Sequence, residues 1–251
     1  MAVEILSYGG GTQTIAMCVL IAQGKLPKPD YVITANTGRE MPTTWEYADE
    51  VARPLLASVG LELLVAGHEL ATVDLYSGNG DLILPAYTTT GKLPTFCSSE
   101  WKARVVQRYA RSVGVATADM VTWIGFAFDE RYRFKDTEGR RFPLVDLMLT
   151  SEDCRYIIRE AGLPLPAKSR CWMCPHQHNS EWREVRANPA LWRQAIELDM
   201  ELRENDDKGG CSCMRSVFRY PRQTLIFRIV KRRTGNAHLV CALFERKTHD
   251  R

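Results

Sequence analysis

The sequence predicts an α/β fold in which a parallel, twisted sheet carries helices on both faces. β-prone runs alternate with helical segments over the first 130 residues, and the runs ending at Ser7 and Asn36 are each followed by a polar turn. Strands that alternate with helices pair in parallel, and ligands bind such sheets at the carboxyl ends of the strands. We therefore expect a binding site at that edge of the sheet.

A glycine-rich turn follows the first strand. The strand ends at Ser7, three glycines follow, and Thr12 opens an apolar helical segment. The amide groups of such a turn converge on an anion, and the helix N-terminus adds positive potential. Neither the Lys-Ser/Thr pair of a Walker A loop nor a G-x-G-x-x-G spacing is present. The residues predicted to hold phosphate are Ser7, Gly9, Gly10, Gly11, Thr12 and Thr14.

The second strand, residues 31–36, runs into the segment Asn-Thr-Gly-Arg-Glu-Met-Pro-Thr-Thr. Together with the Ser-x-Gly-Gly-Gly-x-x-Thr turn, this segment resembles the PP-loop ATP pyrophosphatases and, within them, the PAPS reductase-like group. The resemblance covers about residues 2–185. It implies an adenine nucleotide alpha hydrolase-like sheet that binds ATP and Mg²⁺, with the pyrophosphate on the first turn. It also implies that the nucleoside is bordered by Asn36, Thr37, Gly38 and Glu40.

The first turn departs from the family's Ser-Gly-Gly-Lys-Asp-Ser form because it contains no lysine. The positive charge on the phosphates must therefore come from elsewhere. A Cys-x-x-x-x-Lys segment, from Cys97 to Lys102, precedes a helix predicted to run to about Val113. In the family, this lysine helps to bind the anionic end of the substrate, which points to Cys97 and Lys102. A helix with a solvated basic face is the alternative.

A further strand, in residues 120–126, is followed by a charged cluster. The arrangement is similar to the family's Gly-x-Arg-x-(Asp)-Glu-Ser-x-Arg element, which closes the nucleotide site, although Phe126 replaces its first arginine. Arginine suits phosphate because its planar fork binds two oxygens at once. The residues implied by this similarity are Gly125, Asp129, Glu130 and Arg131. The next helix is predicted to have Ser151 as its N-cap.

The stretches between these motifs complete the predicted sheet. A helix over residues 43–60 and a strand over residues 61–66 continue the alternation. Residues 74–95 contain several Gly, Pro and Thr residues with little periodicity, and a loop of this length is usually a lid or a binding loop. We expect this segment to contact the substrate.

A Cys-x-x-Cys pair, Cys171 and Cys174, has the spacing of a metal knuckle. Three interpretations remain open: structural Zn²⁺, with His176 or His178 and the cysteines at 211 and 213; a redox dithiol; or an iron–sulfur cluster. The resemblance favours a 4Fe-4S cluster held by Cys97, Cys171 and Cys174, with Cys213 as a candidate fourth ligand. The predicted catalytic residues are Cys97, Cys171, Cys174 and Lys102.

The C-terminal part is predicted to form a separate unit. A helix with one apolar face follows Asn188-Pro189, and the Gly-rich break at residues 206–210 separates a nucleotide-binding domain, 1–205, from an appendage, 211–251. Two strands in the appendage form a predicted hairpin with a basic tip. Its residues predicted to contact a nucleic-acid backbone are Arg228, Lys231, Arg232 and Arg233. A sheet edge or a dimer contact is the alternative.

The composition restricts the class of protein. The chain has 251 residues, 45% of them hydrophobic, and shows neither an apolar run of membrane-spanning length nor a signal peptide. We expect a soluble, cytoplasmic protein, in which eight cysteines indicate metal or thiol chemistry. The last 38 residues carry a charge of +8, which leaves −5 for the rest of the +3 chain. This asymmetry favours a polyanionic partner.

The resemblance implies an enzyme that adenylates a substrate oxygen with ATP and transfers sulfur to a nucleic acid or nucleotide. The acceptor would be tRNA, DNA or a small nucleotide, and a cysteine desulfurase is a candidate sulfur donor. PAPS or APS reductase activity is an alternative, but the family's C-terminal Glu-Cys-Gly-type tail is missing, since the last cysteine is Cys241. A further alternative is a protein that binds nucleotide and nucleic acid without turnover.

Overall fold

The computed structural model describes residues 2–67, 73–87, 93–133 and 138–204. Within these residues, five parallel strands form one sheet. In chain order they are β1 (Val3–Ser7), β2 (Tyr31–Asn36), β3 (Leu63–Gly67), β4 (Met120–Trp123) and β5 (Arg140–Arg141). They lie in the order β3-β2-β1-β4-β5. The predicted α/β fold is confirmed.

The order of the strands reverses at β1. The chain runs outward from β1 through β2 to β3, and then crosses to the other side of β1, where β4 pairs with it. In open parallel sheets, ligands bind at such a switch point, in the crevice outside the carboxyl ends of the strands. Here the glycine-rich turn after β1 and Gly125 after β4 meet at this edge, since Gly125 packs against Thr14.

Helices cover both faces of the sheet. They are α1 (Thr12–Ala22), α2 (Pro42–Tyr47), α3 (Arg53–Ala57), α4 (Arg104–Ser112), α5 (Pro143–Asp146), α6 (Ser151–Glu160), α7 (Asn179–Ala187) and α8 (Pro189–Glu204). A π-helical turn, Ala48–Ala52, joins α2 to α3, and a second, Ser98–Ala103, leads into α4. Short 3₁₀ turns cover Thr117–Asp119 and Phe128–Arg133.

The two faces of the sheet bury different clusters. Leu6 belongs to the cluster formed with α1, α3 and α6, whereas its neighbour Ile5 belongs to the cluster formed with Val105 and Val106 of α4. This difference follows from the alternation of side chains along a strand. Consequently, α4 lies on the face of the sheet opposite α1 and α6.

A third buried cluster lies beside the sheet. It contains Trp101, Trp172 and Met173, together with apolar residues of α7, α8 and the segment 73–86. The sequence predicts a substrate-contacting loop over residues 74–95. In the described part of that stretch, Leu82 and Leu84 are among several side chains that are buried in this core. The role of the segment is therefore at least partly structural.

Two helix caps test the predicted boundaries. The cap of α6 is Thr150 and not Ser151, because Thr150 accepts the Asp153 amide and Asp153 accepts the Thr150 amide, which forms a capping box. Asn188 caps α8 as predicted, since its side-chain oxygen accepts the amides of Ala190 and Leu191. The predicted N-cap was correct for α8, whereas for α6 it lay one residue after the observed N-cap.

Several predictions lie outside the described residues. They include the domain boundary after residue 205, the basic hairpin with Arg228, Lys231, Arg232 and Arg233, and the candidate ligand Cys213. These remain predictions. In the part of the chain that the structure describes, no helix has the length and apolar character needed to cross a bilayer.

Candidate functional site

The glycine-rich turn offers a run of amide groups that donate to no other backbone group in the described part of the chain. Tyr8 donates its amide to the Ile33 carbonyl, and the Ile15 amide donates to the Gly11 carbonyl. Between them, among the described residues, none of the amides of residues 9–14 makes a hydrogen bond to another backbone group. Because these donors adjoin the N-terminus of α1, the turn is well suited to bind an anion.

Gly10 is the residue at which the turn requires glycine. Its φ of +69° lies in the left-handed region, which favours glycine over residues with a Cβ. A Cβ at this position would also lie 2.8 Å from Cγ2 of Thr44. The contact holds the turn against the start of α2. The carbonyl of the preceding Gly9 accepts a hydrogen bond of 2.6 Å from the Ser169 hydroxyl, so the turn is also joined to the cysteine-containing segment.

A cleft lies beside the turn at the carboxyl edge of β1 and β2. Its cavity volume is about 50 Å³, which is smaller than the roughly 300–1,000 Å³ of typical small-ligand sites. The predicted site residues that line it are Ser7, Gly9, Gly10, Glu40 and Lys102. The remaining lining residues, which the sequence did not indicate, are Tyr8, Thr34, Ala35, Thr44, Trp45, Ala48 and Val106. Tyr8 and Trp45 give the cleft an aromatic surface.

Lys102 provides the positive charge in the lining of this cleft. Its Nζ lies 2.8 Å from Oε1 of Glu40, and the Glu40 side chain is only 5% exposed, compared with 38% for Lys102. Burial by itself lowers the pKa of Lys102, but Glu40 and the nearby cysteines outweigh this effect and raise the pKa above its ordinary value. Lys102 is therefore fully protonated at neutral pH.

Glu40 joins the cleft to the cysteines. Its Oε1 also lies 3.8 Å from the Cys171 thiol, which donates to it, and its Oε2 is buried with no hydrogen-bond partner among the described residues. The backbone fixes this arrangement, because Glu40 and Cys171 form an antiparallel bridge. On either side of the bridge, the Met41 amide donates to the Arg170 carbonyl, and the Trp172 amide donates to the Arg39 carbonyl.

Cys97, Cys171 and Cys174 form a group of interacting thiols, which we call the thiol centre. Burial is the largest cause that raises the pKa of each, to about 12 for Cys171. Each pair of these cysteines also interacts electrostatically, and Lys102 partly offsets the effect at all three. If all three cysteines were deprotonated, a cation would have to offset their negative charges. Metal ions do this for cysteine ligands.

The described part of the thiol centre does not by itself form a site for a single metal ion. No group of three His, Cys, Asp or Glu side chains in residues 2–67, 73–87, 93–133 and 138–204 has the geometry to hold one. The other described cysteines, Cys18 and Cys154, lie in the apolar cluster around α1 and α6. Three thiols are present, which is the donor chemistry of a thiolate-bound group, and the candidate fourth ligand lies outside the described residues.

The segment after β2 is shaped by its own side chains. The Asn36 side-chain oxygen accepts the Gly38 amide, and the buried Thr37 hydroxyl accepts the Arg39 amide. Gly38 has a φ of +66°. Of the four residues predicted here, Glu40 lines the cleft, whereas Asn36, Thr37 and Gly38 form the turn that positions it.

The segment after β4 approaches the glycine-rich turn from the other side. A Cβ on Gly125 would lie 2.9 Å from Cγ2 of Thr14, so the two turns are in close contact. Gln13 donates to Oε2 of Glu130 at 3.0 Å. The Thr14 hydroxyl donates to the Gly11 carbonyl, so this structure commits it to the turn itself. Glu130 is therefore joined to the glycine-rich turn through Gln13, a contact the sequence did not indicate.

Asp129 and Arg131 have other partners. Asp129 accepts the amide and hydroxyl of Ser151 at the start of α6. Arg131 packs over the ring of Phe128 and donates to its carbonyl. Neither residue lines the cleft beside β1 and β2.

Arg39 is a further residue that the sequence analysis missed. Its Nε is buried without a hydrogen-bond partner among the described residues, and its guanidinium lies over the Trp172 ring. Burial lowers the pKa of Arg39, while Glu201 and Cys171 raise it in part. A half-buried cation beside the thiol centre favours anionic groups there. Arg39 lies in the Asn-Thr-Gly-Arg-Glu segment, and this position was the sequence signal that could have identified it.

No family model matches the sequence, and neither does any curated protein. Among solved structures, one that matches is the U34-tRNA thiolase NcsA from Methanococcus maripaludis with its [4Fe-4S] cluster. The match covers 83% of this chain and 67% of that chain, at 14% sequence identity and a TM-score of 0.42. This similarity is too low to carry an argument about activity, and the fold class rests on the sheet described above.

Proposed function

We propose that this protein binds ATP in the cleft and adenylates a nucleic acid or nucleotide, which then receives sulfur. The observation that carries this proposal is the position of Glu40, whose carboxylate contacts both Lys102 in the cleft and Cys171 in the thiol centre. A phosphate-binding turn and a group of thiols therefore belong to one site. That combination suits an enzyme that first activates an oxygen and then replaces it with sulfur.

The cleft has complementary groups for each part of ATP. The amides of residues 9–14, which donate to no backbone group among the described residues, and the N-terminus of α1 would bind the pyrophosphate, together with Mg²⁺. Lys102 would replace the lysine that the turn lacks and neutralise part of the phosphate charge. The rings of Tyr8 and Trp45 would provide an apolar surface for the adenine. Gly125 and Glu130 would support the phosphate-binding turn through their contacts with Thr14 and Gln13.

The proposed reaction has two substitutions. In the first, the acceptor oxygen forms a bond to the α-phosphorus of ATP while the bond to pyrophosphate breaks, and the turn stabilises the charge that develops on the leaving group. In the second, a hydrosulfide sulfur bonds to the atom that carried this oxygen, and AMP leaves with the oxygen. Adenylation is required because an unactivated oxygen is a poor leaving group.

The thiol centre would hold a 4Fe-4S cluster through Cys97, Cys171 and Cys174, with Cys213 as the proposed fourth ligand. If Cys213 does not bind, the cluster would supply an iron that is open to sulfur. Arg39 and Lys102 place two cations beside these thiols, which lowers the cost of gathering negative charge there. Zn²⁺ in the same position is the alternative, and metal analysis distinguishes the two.

The nucleic-acid acceptor is supported by the charge of the C-terminal segment, from which Arg228, Lys231, Arg232 and Arg233 are the proposed contacts. A tRNA or DNA acceptor fits this charge better than a small nucleotide does. A cysteine desulfurase remains the proposed sulfur source.

The test uses protein that has been purified anaerobically. Bound iron, sulfide and zinc are measured, and pyrophosphate release from ATP is followed with mixed tRNA or with DNA as acceptor. We expect iron and sulfide in comparable amounts, and acceptor-dependent pyrophosphate release. Cys174→Ser should remove most of the iron while ATP binding persists, whereas Cys154→Ser, in the apolar core, should retain the iron.

Three results would contradict the proposal. Zinc without iron would reject the cluster. Absence of pyrophosphate release from cluster-replete protein with every acceptor would favour a protein that binds nucleotide without turnover. Formation of sulfite from PAPS with thioredoxin would instead indicate a reductase.

A further inference from the structure

The outer face of α4 carries a row of arginines. Arg104, Arg108 and Arg111 are exposed and line a shallow open groove together with Gln107 and Glu100. The opposite face of the helix is apolar and packs on the sheet through Val105 and Val106. The row is therefore held rigidly on a regular helix.

Most of the positive charge on this face is not neutralised. Arg104 pairs with Glu100 at 2.6 Å, four residues earlier. Among the residues that the structure describes, neither Arg108 nor Arg111 has an ion-pair partner within 4.0 Å, although nine ion pairs are formed there by other residues. Two guanidinium groups thus remain available to an external anion.

The spacing of the row fits a chain of phosphates. With a rise of 1.5 Å per residue, the step of seven residues from Arg104 to Arg111 spans about 10 Å. Phosphates along one strand of B-DNA are spaced by about 3.4 Å along the helix axis, so the row covers about three of them. The exposed positions beside the arginines are Gln107, Ala103 and Ser112. This face lacks the aromatic and Met residues that are enriched at the centres of protein interfaces.

The row is continuous with the cleft. Lys102, which lines the cleft, lies two residues before Arg104, and Val106 on the inner side of α4 also lines it. The N-terminal end of α4 therefore lies at the cleft, and its outer face extends away from it. A nucleic acid bound along α4 would have its backbone anchored beside the place where ATP is proposed to bind.

We propose that Arg104, Arg108 and Arg111 form a binding surface for the phosphate backbone of the nucleic-acid acceptor. The proposal rests on the nucleic-acid acceptor of the proposed function and assigns a contact surface to it, separate from the C-terminal segment. Arg108 and Arg111 make the principal contacts because Arg104 shares its charge with Glu100. The surface binds without regard to base sequence, since it contacts only phosphates.

The test measures salt-dependent binding by the full-length protein. The probes are a 20-nucleotide single-stranded DNA, an RNA hairpin of the same length and a duplex DNA, each labelled with a fluorophore. In Arg108→Gln/Arg111→Gln, the slope of log K against log salt should become shallower by about 1.8 for the duplex and by about 1.4 for the single strand. The hairpin should show a change of similar size.

The control is Arg155→Gln/Arg159→Gln, which removes two arginines, four residues apart where Arg108 and Arg111 are three apart, from α6 on the opposite face of the sheet. Its slope should stay close to that of the parent protein. Equal changes in both variants, or no change in the α4 variant, would overturn the assignment. Binding of polyglutamate with the same dependence on Arg108 and Arg111 would also overturn it, in favour of an acidic polypeptide.

A separate measurement distinguishes failure of this inference from failure of the proposed function. Calorimetric titration with ATP should give the same affinity for the parent protein and the α4 variant, because neither arginine lines the cleft. If the parent protein does not bind ATP, the proposed function fails whatever the arginines do. If ATP binds and the salt slopes do not change, only the α4 surface is rejected.

Discussion

The glycine-rich turn and the thiol centre share one site but are built in different ways. The turn is one contiguous stretch, residues 7–14, and its binding groups are backbone amides. The thiol centre combines Cys97 with Cys171 and Cys174, which are more than 70 residues away in the chain. Their proximity depends on the antiparallel bridge between Glu40 and Cys171. The turn therefore depends on backbone shape, whereas the thiol centre depends on long-range pairing and side-chain chemistry.

This difference determines how each region responds to substitution. A backbone site loses function when a side chain is added, because an added Cβ alters the position of the amides. A side-chain site loses function when a side chain is removed. Three measurements test this contrast.

Gly10→Val should weaken ATP binding by about 100-fold or more. Valine is strongly disfavoured at the φ of +69°, and its Cβ would lie 2.8 Å from Cγ2 of Thr44. The matched control is Gly24→Val, because Gly24 has the same φ but a Cβ there would meet no atom within 4 Å. Both variants should lose about 1–2 kcal/mol of stability from the backbone strain, and only Gly10→Val should lose ATP binding. Equal affinities for ATP would contradict the role of the turn.

Lys102→Met should weaken ATP binding by about 10- to 100-fold, in line with the loss of a charged hydrogen bond worth about 1.5–3 kcal/mol. Lys168→Met provides the comparison, since Lys168 also forms an ion pair, with Glu181 at 3.0 Å, but lies outside the cleft. Calorimetric titration with ATP measures both. An unchanged affinity in Lys102→Met would show that the phosphate charge is neutralised by another group.

The smallest effect is expected for the pH dependence of ATP binding. The pKa of Lys102 lies above its ordinary value, so the ammonium stays protonated and ATP affinity should be constant between about pH 7.5 and 9.5.

In metal-free protein, alkylation of Cys171 should rise about tenfold per pH unit over the same interval. The reason is that its pKa is raised to about 12, so its thiolate fraction is still small and increases with each unit. Mass spectrometry of the alkylated peptides follows the reaction, and a plateau below pH 9 would contradict the raised pKa.

The contrast between the two regions also explains which predictions the sequence supported. The strand alternation indicated the fold class, because period and turn chemistry are local properties of the chain. The Asn188 cap was predicted for the same reason. The cap of α6 was wrong by one residue, since Thr150 and Ser151 are both good capping residues and only the position of Asp153 relative to Thr150 selects between them.

The residues that line the cleft could not all be predicted from local sequence patterns. Tyr8 and Trp45 are ordinary apolar residues in the sequence, and they became part of the site because the turn after β1 lies beside α2. Asp129 and Arg131 contact α6 and Phe128 in this structure, and their predicted contact with the nucleotide stays a prediction. Their charges alone did not indicate which way the two side chains point. That direction is set by the 3₁₀ turn that carries them and by how this turn packs.

By itself, the sequence determined a parallel α/β sheet, a glycine-rich turn at the end of its first strand, and a set of cysteines with metal-ligand spacing. These features are readable because each depends on residues that are close together in the chain. The tertiary structure alone decided that Glu40 lies between Lys102 and Cys171 and that the arginines of α4 face outward beside the cleft. Such contacts join distant segments, and their geometry is set by the packing of the whole sheet and its helices.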